Sequence, residues 1–239
     1  MEKVAFITGG SRGIGACTVR KFYAEGYRVA FTYLNSTEAA IALAKECSAL
    51  AIQADASSPE QTNMAIGKAL EIFGKIDVLV NNAGISQFSL FTDITDEMWE
   101  RMISTNLSSA FYASRAVLPS MISRKSGSII NVASMWGEVG ASCEVHYSTA
   151  KAGLIGMTKA LAKELGPSNI RVNCVSPGAI DTDMNAHLTS DDINAIKEET
   201  PLGRLGTGEE IANAIFFLAS ESASFITGQI LGINGGMII

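Results

Sequence analysis

The chain has 239 residues, 47% of them hydrophobic, and a formal net charge of -6, which fits one α/β domain with a substantial buried core. Its Lys and Arg residues form no block, so nucleic acid and an anionic membrane are excluded as expected partners. What remains is a small molecule or another protein.

The first apolar run, Val4–Thr8, reads as a strand; it is too short for a signal-peptide core and no cleavage site follows it, so a cytoplasmic location is expected. No later apolar stretch is long enough to span a bilayer. Further β-rich runs at Arg28–Tyr33, Leu50–Ala54, Ile76–Asn81, Ser128–Ala133, Ile170–Val175 and Gln229–Ile233 alternate with longer amphipathic segments. That rhythm predicts a Rossmann-type, doubly wound parallel sheet of about seven strands with helices on both faces, in a single domain over 1–239.

Directly after the first strand, Thr8-Gly9-Gly10-Ser11-Arg12-Gly13-Ile14-Gly15 opens the first helix. Glycines there permit a tight turn and close approach of the backbone to a pyrophosphate, and the helix N-terminus offers free N–H groups to its charge. A carboxylate about 20 residues beyond the glycines would mark an NAD site; Tyr33-Leu34-Asn35-Ser36 stands there instead. With no acid to repel a 2′-phosphate and Arg12 in the loop to bind one, electrostatics favour NADP(H), with Asn35 and Ser36 as contacts. Asp55 and Ala56 follow the third strand; Asp55 reads either as an acceptor for the adenine amino group or as a helix cap ahead of Ser57-Ser58-Pro59.

Asn81-Asn82-Ala83-Gly84 ends the fourth strand, and a helix opens near Thr95, with Asp96 and Glu97 complementing its dipole, and runs on through Asn106 towards Met121. Ser134 sits just beyond the fifth strand, at the carboxyl edge where open α/β sheets bind ligands. Tyr147 and Lys151 are four apart at the start of a long helical pattern, so they share one face. A free phenol is a poor base near neutrality, but a neighbouring ammonium lowers its pKa and makes it usable as an acid/base. After Pro177-Gly178, the polar stretch at about 181–205, broken by Pro201 and Gly203, reads as a long loop serving as a substrate lid. Cys17, Cys47, Cys143 and Cys174 are scattered and the only histidines are His146 and His187, so neither a disulfide framework nor a metal site is expected.

Gly9 to Gly15, Asn81 to Gly84, Asn106, Ser134, Tyr147 with Lys151, and Pro177-Gly178 together resemble the ordered motif set of the short-chain dehydrogenase/reductase family, over nearly the whole chain. The resemblance implies reduction of a carbonyl by a nicotinamide cofactor. Ser134 would hydrogen-bond the carbonyl oxygen, Tyr147 would supply the proton, Lys151 would hold the nicotinamide ribose and tune Tyr147, and Asn106 would support a water relay. It also places Ile180 and Thr182 at the nicotinamide carboxamide, and Asn82, Ala83 and Gly84 close to the cofactor.

Asn106-Leu107-Ser108-Ser109, the run from Ala150 to Gly156, and Ile226-Thr227-Gly228 to Gly236 resemble the 3-oxoacyl-(acyl-carrier-protein) reductases. A β-ketoacyl thioester is then the default substrate, with acyl carrier protein as the possible partner. The basic docking surface of those reductases is represented here by Lys125, with Ser168 following Pro167. Trp136 and Glu144 fall where the family lines its substrate pocket. Glu144 reads as a solvated carboxylate or as counter-ion to a cationic substrate; the stretch before Tyr147 also resembles reductases of a 5-aminopentanone group on elongation factor P. A reading from another class is a non-catalytic NADPH-binding sensor. The apolar carboxyl end, Ile230 to Ile239, and the long helices near Asp96 to Met121 and Tyr147 to Leu165 imply, by the same resemblance, a homotetramer.

Overall fold

The computed structural model describes residues 2–182 and 189–239. They form a seven-stranded parallel sheet in the order β3-β2-β1-β4-β5-β6-β7, from β1 (Val4–Ile7), β2 (Arg28–Tyr33), β3 (Leu50–Gln53), β4 (Val78–Asn81), β5 (Gly127–Val132), β6 (Ile170–Pro177) and β7 (Ile230–Ile233). Every expected strand is present. The fourth starts two residues late, because Asp77 is spent at the sheet edge: its carboxylate accepts from Val4 N and pairs with Arg124 and Lys75.

Successive side chains of a strand point to opposite faces, and β1 divides accordingly. Ala5 and Ile7 join the core beneath α1 (Gly13–Ala24), α2 (Thr37–Glu46) and α9 (Gly208–Ala219), with Val19, Phe22, Ile211 and Ile215. Val4 and Phe6 join the other core, beneath α3 (Pro59–Phe73), α5 (Ser109–Arg124) and α7 (Val145–Leu165), with Ile66, Val117 and Met121. Both faces are covered, so the strands read as continuous apolar runs, and side chains such as Phe6 and Ile7, wholly buried, contribute about 1.5–3 kcal/mol each. Between β6 and α9, Arg171 donates to the carbonyls of Leu218, Ala219 and Ser220 and so satisfies the carboxyl end of α9.

One polar rung crosses the apolar sheet. Asn81 and Asn131 are register partners on β4 and β5; Asn81 Nδ2 donates to Asn131 Oδ1 at 2.8 Å and to Ser114 Oγ on α5 at 3.1 Å. Asn131 Nδ2 in turn donates to Thr158 Oγ1 on α7 at 2.8 Å.

The sequence rhythm predicts one helix from Thr95 past Asn106. Thr95 does cap it, but α4 (Asp96–Ile103) gives way to a π turn over Ser104–Ser108 before α5 resumes. Ser, Thr and Asn compete for backbone groups and are weak helix formers, and wide turns of this kind cluster at functional sites.

The stretch at 181–205 is not the structureless loop its composition suggests. It contains α8 (Ser190–Glu199), started by a reciprocal capping box between Thr189 and Asp192, a Thr-x-x-Asp signal that was present in the sequence. The first part of the expected lid, 183–188, lies outside the described residues. The return is pinned by Leu202 N to Gly235 O at 3.1 Å and Gly206 N to Ala179 O at 2.9 Å. Among the described residues no helix is long and apolar enough to cross a membrane.

Candidate active site

The strand order reverses between β1 and β4, and such switch points leave a crevice at the carboxyl ends of the strands. Gly9 lies there at φ +64, and a Cβ on it would come within 2.9 Å of Ala83 Cα; no other residue type fits. Asn82 braces the turn, its Nδ2 donating to Thr8 O at 3.0 Å and Gly9 O at 2.8 Å, while Thr8 Oγ1 accepts from the main-chain N of Asn82 and Ala83. The expected cofactor-proximal Asn82 and Ala83 therefore shape the loop from beneath.

Arg12 is the N-cap residue of α1 and makes no side-chain cap bond, which leaves the first-turn N–H groups facing a groove of about 410 Å³ lined by Ser11, Arg12, Gly13, Cys17, Asp181 and Thr182, among others. Gly13, at φ +51, has Thr182 3.6 Å from where its Cβ would be. Uncapped N–H groups, an arginine and glycines without room for side chains fit the pyrophosphate of a dinucleotide. Gly15 is filled in by the backbone of Gly9 and Gly10, so it serves helix packing. Ile14 packs partly buried against the core. Asn35 and Ser36 lead into α2, Ser36 as its N-cap residue without a side-chain bond. Asp55 does not cap α3; Ser58 does. Asp55 Oδ1 instead accepts from Ser57 N and Oγ, an Asx turn that holds Ala56 beside it. Ile180 is 4% exposed and bridges to Gly206; its side chain belongs to the core.

Across the crevice, β5 ends at Val132 and delivers Ser134, and α7 delivers Tyr147 and Lys151, all three buried. Ser134 is close enough to the Tyr147 phenol to favour its ionised form, while its Oγ accepts from Trp136 N at 3.2 Å. Lys151 Nζ donates to Val132 O at 2.8 Å and lies 5.6 Å from the Tyr147 ring centroid. Gly84 is the point where the remaining motif closes in: a Cβ there would stand 2.6 Å from Asn106 Oδ1 and 3.5 Å from Lys151 Nζ. Asn106, 1% exposed in the π turn, donates to Met102 O at 3.1 Å and accepts from Ile85 N at 3.2 Å, so its side chain is committed internally. Pro177-Gly178 closes the floor, with Met135 N donating to Pro177 O at 3.0 Å.

The electrostatics correct one expectation. Burial pushes the Tyr147 phenol up to about 12; Ser134 opposes this and the charge of Glu144 reinforces it. Burial draws Lys151 down to about 8, with Cys174 acting the other way. Desolvation disfavours the charged form of both groups and outweighs the mutual help that their spacing alone suggests.

Trp136 begins α6 (Trp136–Val139), its main-chain N donating to Ser134 Oγ at 3.2 Å. Glu144 is not a solvated carboxylate: it is 6% exposed and accepts from Ser86 Oγ at 2.9 Å. Sequence reasoning missed Ser86, for which no motif exists, and Glu138, which accepts a short hydrogen bond from Ser176 Oγ and ties the turn after Ser134 to β6. It also missed His146, wholly buried, with neither ring nitrogen partnered among the described residues and its pKa lowered by burial.

A family model described as enoyl-(acyl carrier protein) reductase matches residues 9–238. The chain is 43% identical to the 3-oxoacyl-[acyl-carrier-protein] reductase FabG of Chlamydia muridarum, over 99% of this chain and 98% of that protein. It is likewise 43% identical to an uncharacterized oxidoreductase, YmfI, of Bacillus subtilis, over 99% of each, and 41% identical to FabG of Escherichia coli, over 98% of this chain and 97% of that protein. With a crevice of this shape and a match that spans the sheet, the chain belongs to the short-chain dehydrogenase/reductase family, nicotinamide-dependent oxidoreductases acting on CH–OH and C=O groups.

Proposed function

We propose that this protein is an NADPH-dependent ketone reductase with a 3-oxoacyl thioester as its default substrate. The observation that carries the reading is the convergence of Ser134, Tyr147 and Lys151 at the carboxyl edge of the sheet, across the crevice from the glycine loop. The reduced nicotinamide, when bound, supplies the hydride that converts the carbonyl carbon to an alcohol carbon.

The chain supplies the rest. Ser134 and Tyr147 are both buried at the carboxyl edge and interact electrostatically, so a carbonyl oxygen lying between them would take a hydrogen bond from Ser134 and a proton from Tyr147. A phenol held protonated by burial is prepared as the acid for reduction. Lys151, with its Nζ anchored on Val132 O, orients the ribose side of the site and restores the proton. Because the Asn106 amide is committed to Met102 and Ile85, its part in a proton relay runs through the main chain of the π turn. Arg12 receives the 2′-phosphate, helped by Asn35 and Ser36; Asp55 and Ala56 border the adenine, and Pro177, Gly178, Ile180 and Thr182 the nicotinamide.

A homotetramer fits the exposed apolar residues Phe111, Phe217, Phe225 and Ile239, which a monomer would leave in water. The deciding experiment is an NADPH-oxidation assay on a panel of an acetoacetyl thioester, an amino-ketone, a steroid ketone and a sugar. Highest kcat/KM on the thioester supports this reading; highest on the amino-ketone moves it to the aminopentanone alternative, and no oxidation with any substrate to a cofactor-binding sensor.

A further inference from the structure

We propose that Asn234 is a positioning residue for the nicotinamide half of the cofactor: the turn it forms after β7 sets the crevice floor at Gly178 and the segment that returns from α8. The inference rests on the reading of Pro177-Gly178 as the nicotinamide floor and adds the group that holds that floor in place.

β6 and β7 end side by side, with Pro177 and Ile233 as register partners. Gly178 N donates to Ile233 O at 3.0 Å, and a Cβ on Gly178 would stand 2.7 Å from Asn234 Cα and 2.9 Å from its Cβ. The floor therefore lies directly against Asn234, with no room for a side chain at 178. Asn234 in turn is bound to its own turn. Its Oδ1 accepts from Gly236 N at 3.0 Å, an Asx turn, and its Nδ2 donates to Ile238 O at 3.0 Å. Met237 N donates to Asn234 O at 3.2 Å.

The other side of this turn meets the return from α8. Gly235 at φ +66 and Gly236 at φ +88 adopt a backbone that favours glycine, and Cβ atoms there would stand 2.6 Å from Thr200 Cγ2 and 3.0 Å from Pro201 Cγ. Leu202 N donates to Gly235 O at 3.1 Å. The returning chain then holds the residues after Gly178, through Gly206 N to Ala179 O and Asp181 N to Gly206 O, both at 2.9 Å. A cavity of about 70 Å³ lies between these pieces, lined by Ala179, Ile180, Thr200, Leu202, Asn234 and Gly235, among others. Side chains do not fill that space, and the lining of a void forgoes packing contacts. Hydrogen bonds through the Asn234 turn, rather than close packing, thus locate the floor. The glycine loop is braced separately, by Asn82 and Thr8. Disturbing Asn234 should move one half of the dinucleotide site and spare the other.

The test compares NADPH with adenosine 2′,5′-bisphosphate, which lacks the nicotinamide, by calorimetric titration of wild type, Asn234→Ala, Asn234→Asp and Gly178→Ala, with folding checked by thermal melting. Asn234→Ala is expected to bind NADPH on the order of tenfold more weakly, about 1.4 kcal/mol, and the bisphosphate as wild type does. Asn234→Asp, which keeps the acceptor for Gly236 N, should bind both within about threefold of wild type. Unchanged NADPH affinity in a folded Asn234→Ala protein overturns the proposal. So does an equal loss for both ligands, which would make Asn234 a general support of the fold, and so does an aspartate variant as weak as the alanine one. Should Asn234→Ala fail to fold, Asn234→Ser, whose hydroxyl makes the same turn more weakly, is measured in its place under the same criteria. Gly178→Ala checks the reading beneath: NADPH affinity unchanged in that variant would overturn the floor assignment itself, an outcome distinct from an unaffected Asn234→Ala.

Discussion

Lys151 Nζ donates to Val132 O at 2.8 Å while lying 5.6 Å from the Tyr147 ring centroid. Its direct bond is thus to the end of β5, and the phenol feels it only at a distance. A buried ammonium with one carbonyl partner is destabilising, as its depressed pKa of about 8 records. The unfolded chain binds this proton more tightly than the folded one between about pH 8 and the ordinary lysine range, so the group's contribution to stability rises with pH across that window. Lys151→Met should therefore melt a few degrees above wild type at pH 7, the gain shrinking as pH approaches about 10. Differential scanning calorimetry at both pH values checks this; a lower melting temperature at pH 7 would mean that the Val132 bond outweighs the desolvated charge.

Tyr147→Phe removes one oxygen and leaves the glycine loop untouched. It should retain NADPH affinity while losing on the order of 10²-fold or more in kcat. Binding by fluorescence titration and turnover by NADPH oxidation separate the two quantities; turnover close to wild type would point to another acid.

Arg12 is the charge in the loop that fits a 2′-phosphate. Wild type should bind NADPH at least tenfold more tightly than NADH, a difference of about 1.4 kcal/mol, and Arg12→Ala should bring the two dissociation constants close together. Calorimetric titration with each cofactor reads this directly, and equal affinities in wild type would remove the assignment.

Arg171 donates to three consecutive carbonyls at the end of α9. Arg171→Ala should lose about 2–4 kcal/mol of stability, since hydrogen bonds to a charged group go with it and buried carbonyls are left unpaired. Lysine, a point charge without the planar fork, should recover little. Urea denaturation measures both; an Arg171→Lys protein as stable as wild type would contradict the fork argument.

Light scattering at micromolar concentration should give the mass of a homotetramer. A monomeric mass would leave Phe225 and Ile239 in water and refute the assembly.

The sheet was legible because both its faces are covered: Val4 to Ile7 and Val78 to Val80 had to read as apolar runs, and they do. The motif residues were legible because each sits at a strand end or helix start that the same rhythm locates. What stayed hidden depended on contacts distant in sequence. Nothing near Ser86 announces that it will meet Glu144 after a separation of 58 residues, and nothing near Asn106 foretold that its amide would be consumed by Met102 and Ile85. The Tyr147–Lys151 spacing gave their proximity but not their burial, and burial decides the direction of both shifts. The helix at Ser190–Glu199 is a different case, since its capping box was in plain view while Pro201 and Gly203 argued for a loop.

The pairing of Asn81 with Asn131 has a consequence for how the sheet assembles. An all-apolar parallel sheet offers little to tell one alignment of its strands from the next, because valine, isoleucine and leucine pack acceptably against each other in several. Here a slip of β4 against β5 would part Asn81 from Asn131 and enclose their amides among hydrocarbon side chains, at about 1–3 kcal/mol for each unmet group. Through Ser114 and Thr158 the penalty extends to the seating of α5 and α7. The rung thus works as a reading frame: it rejects misaligned sheets, and in doing so it fixes how far along the crevice Tyr147 stands from Gly84.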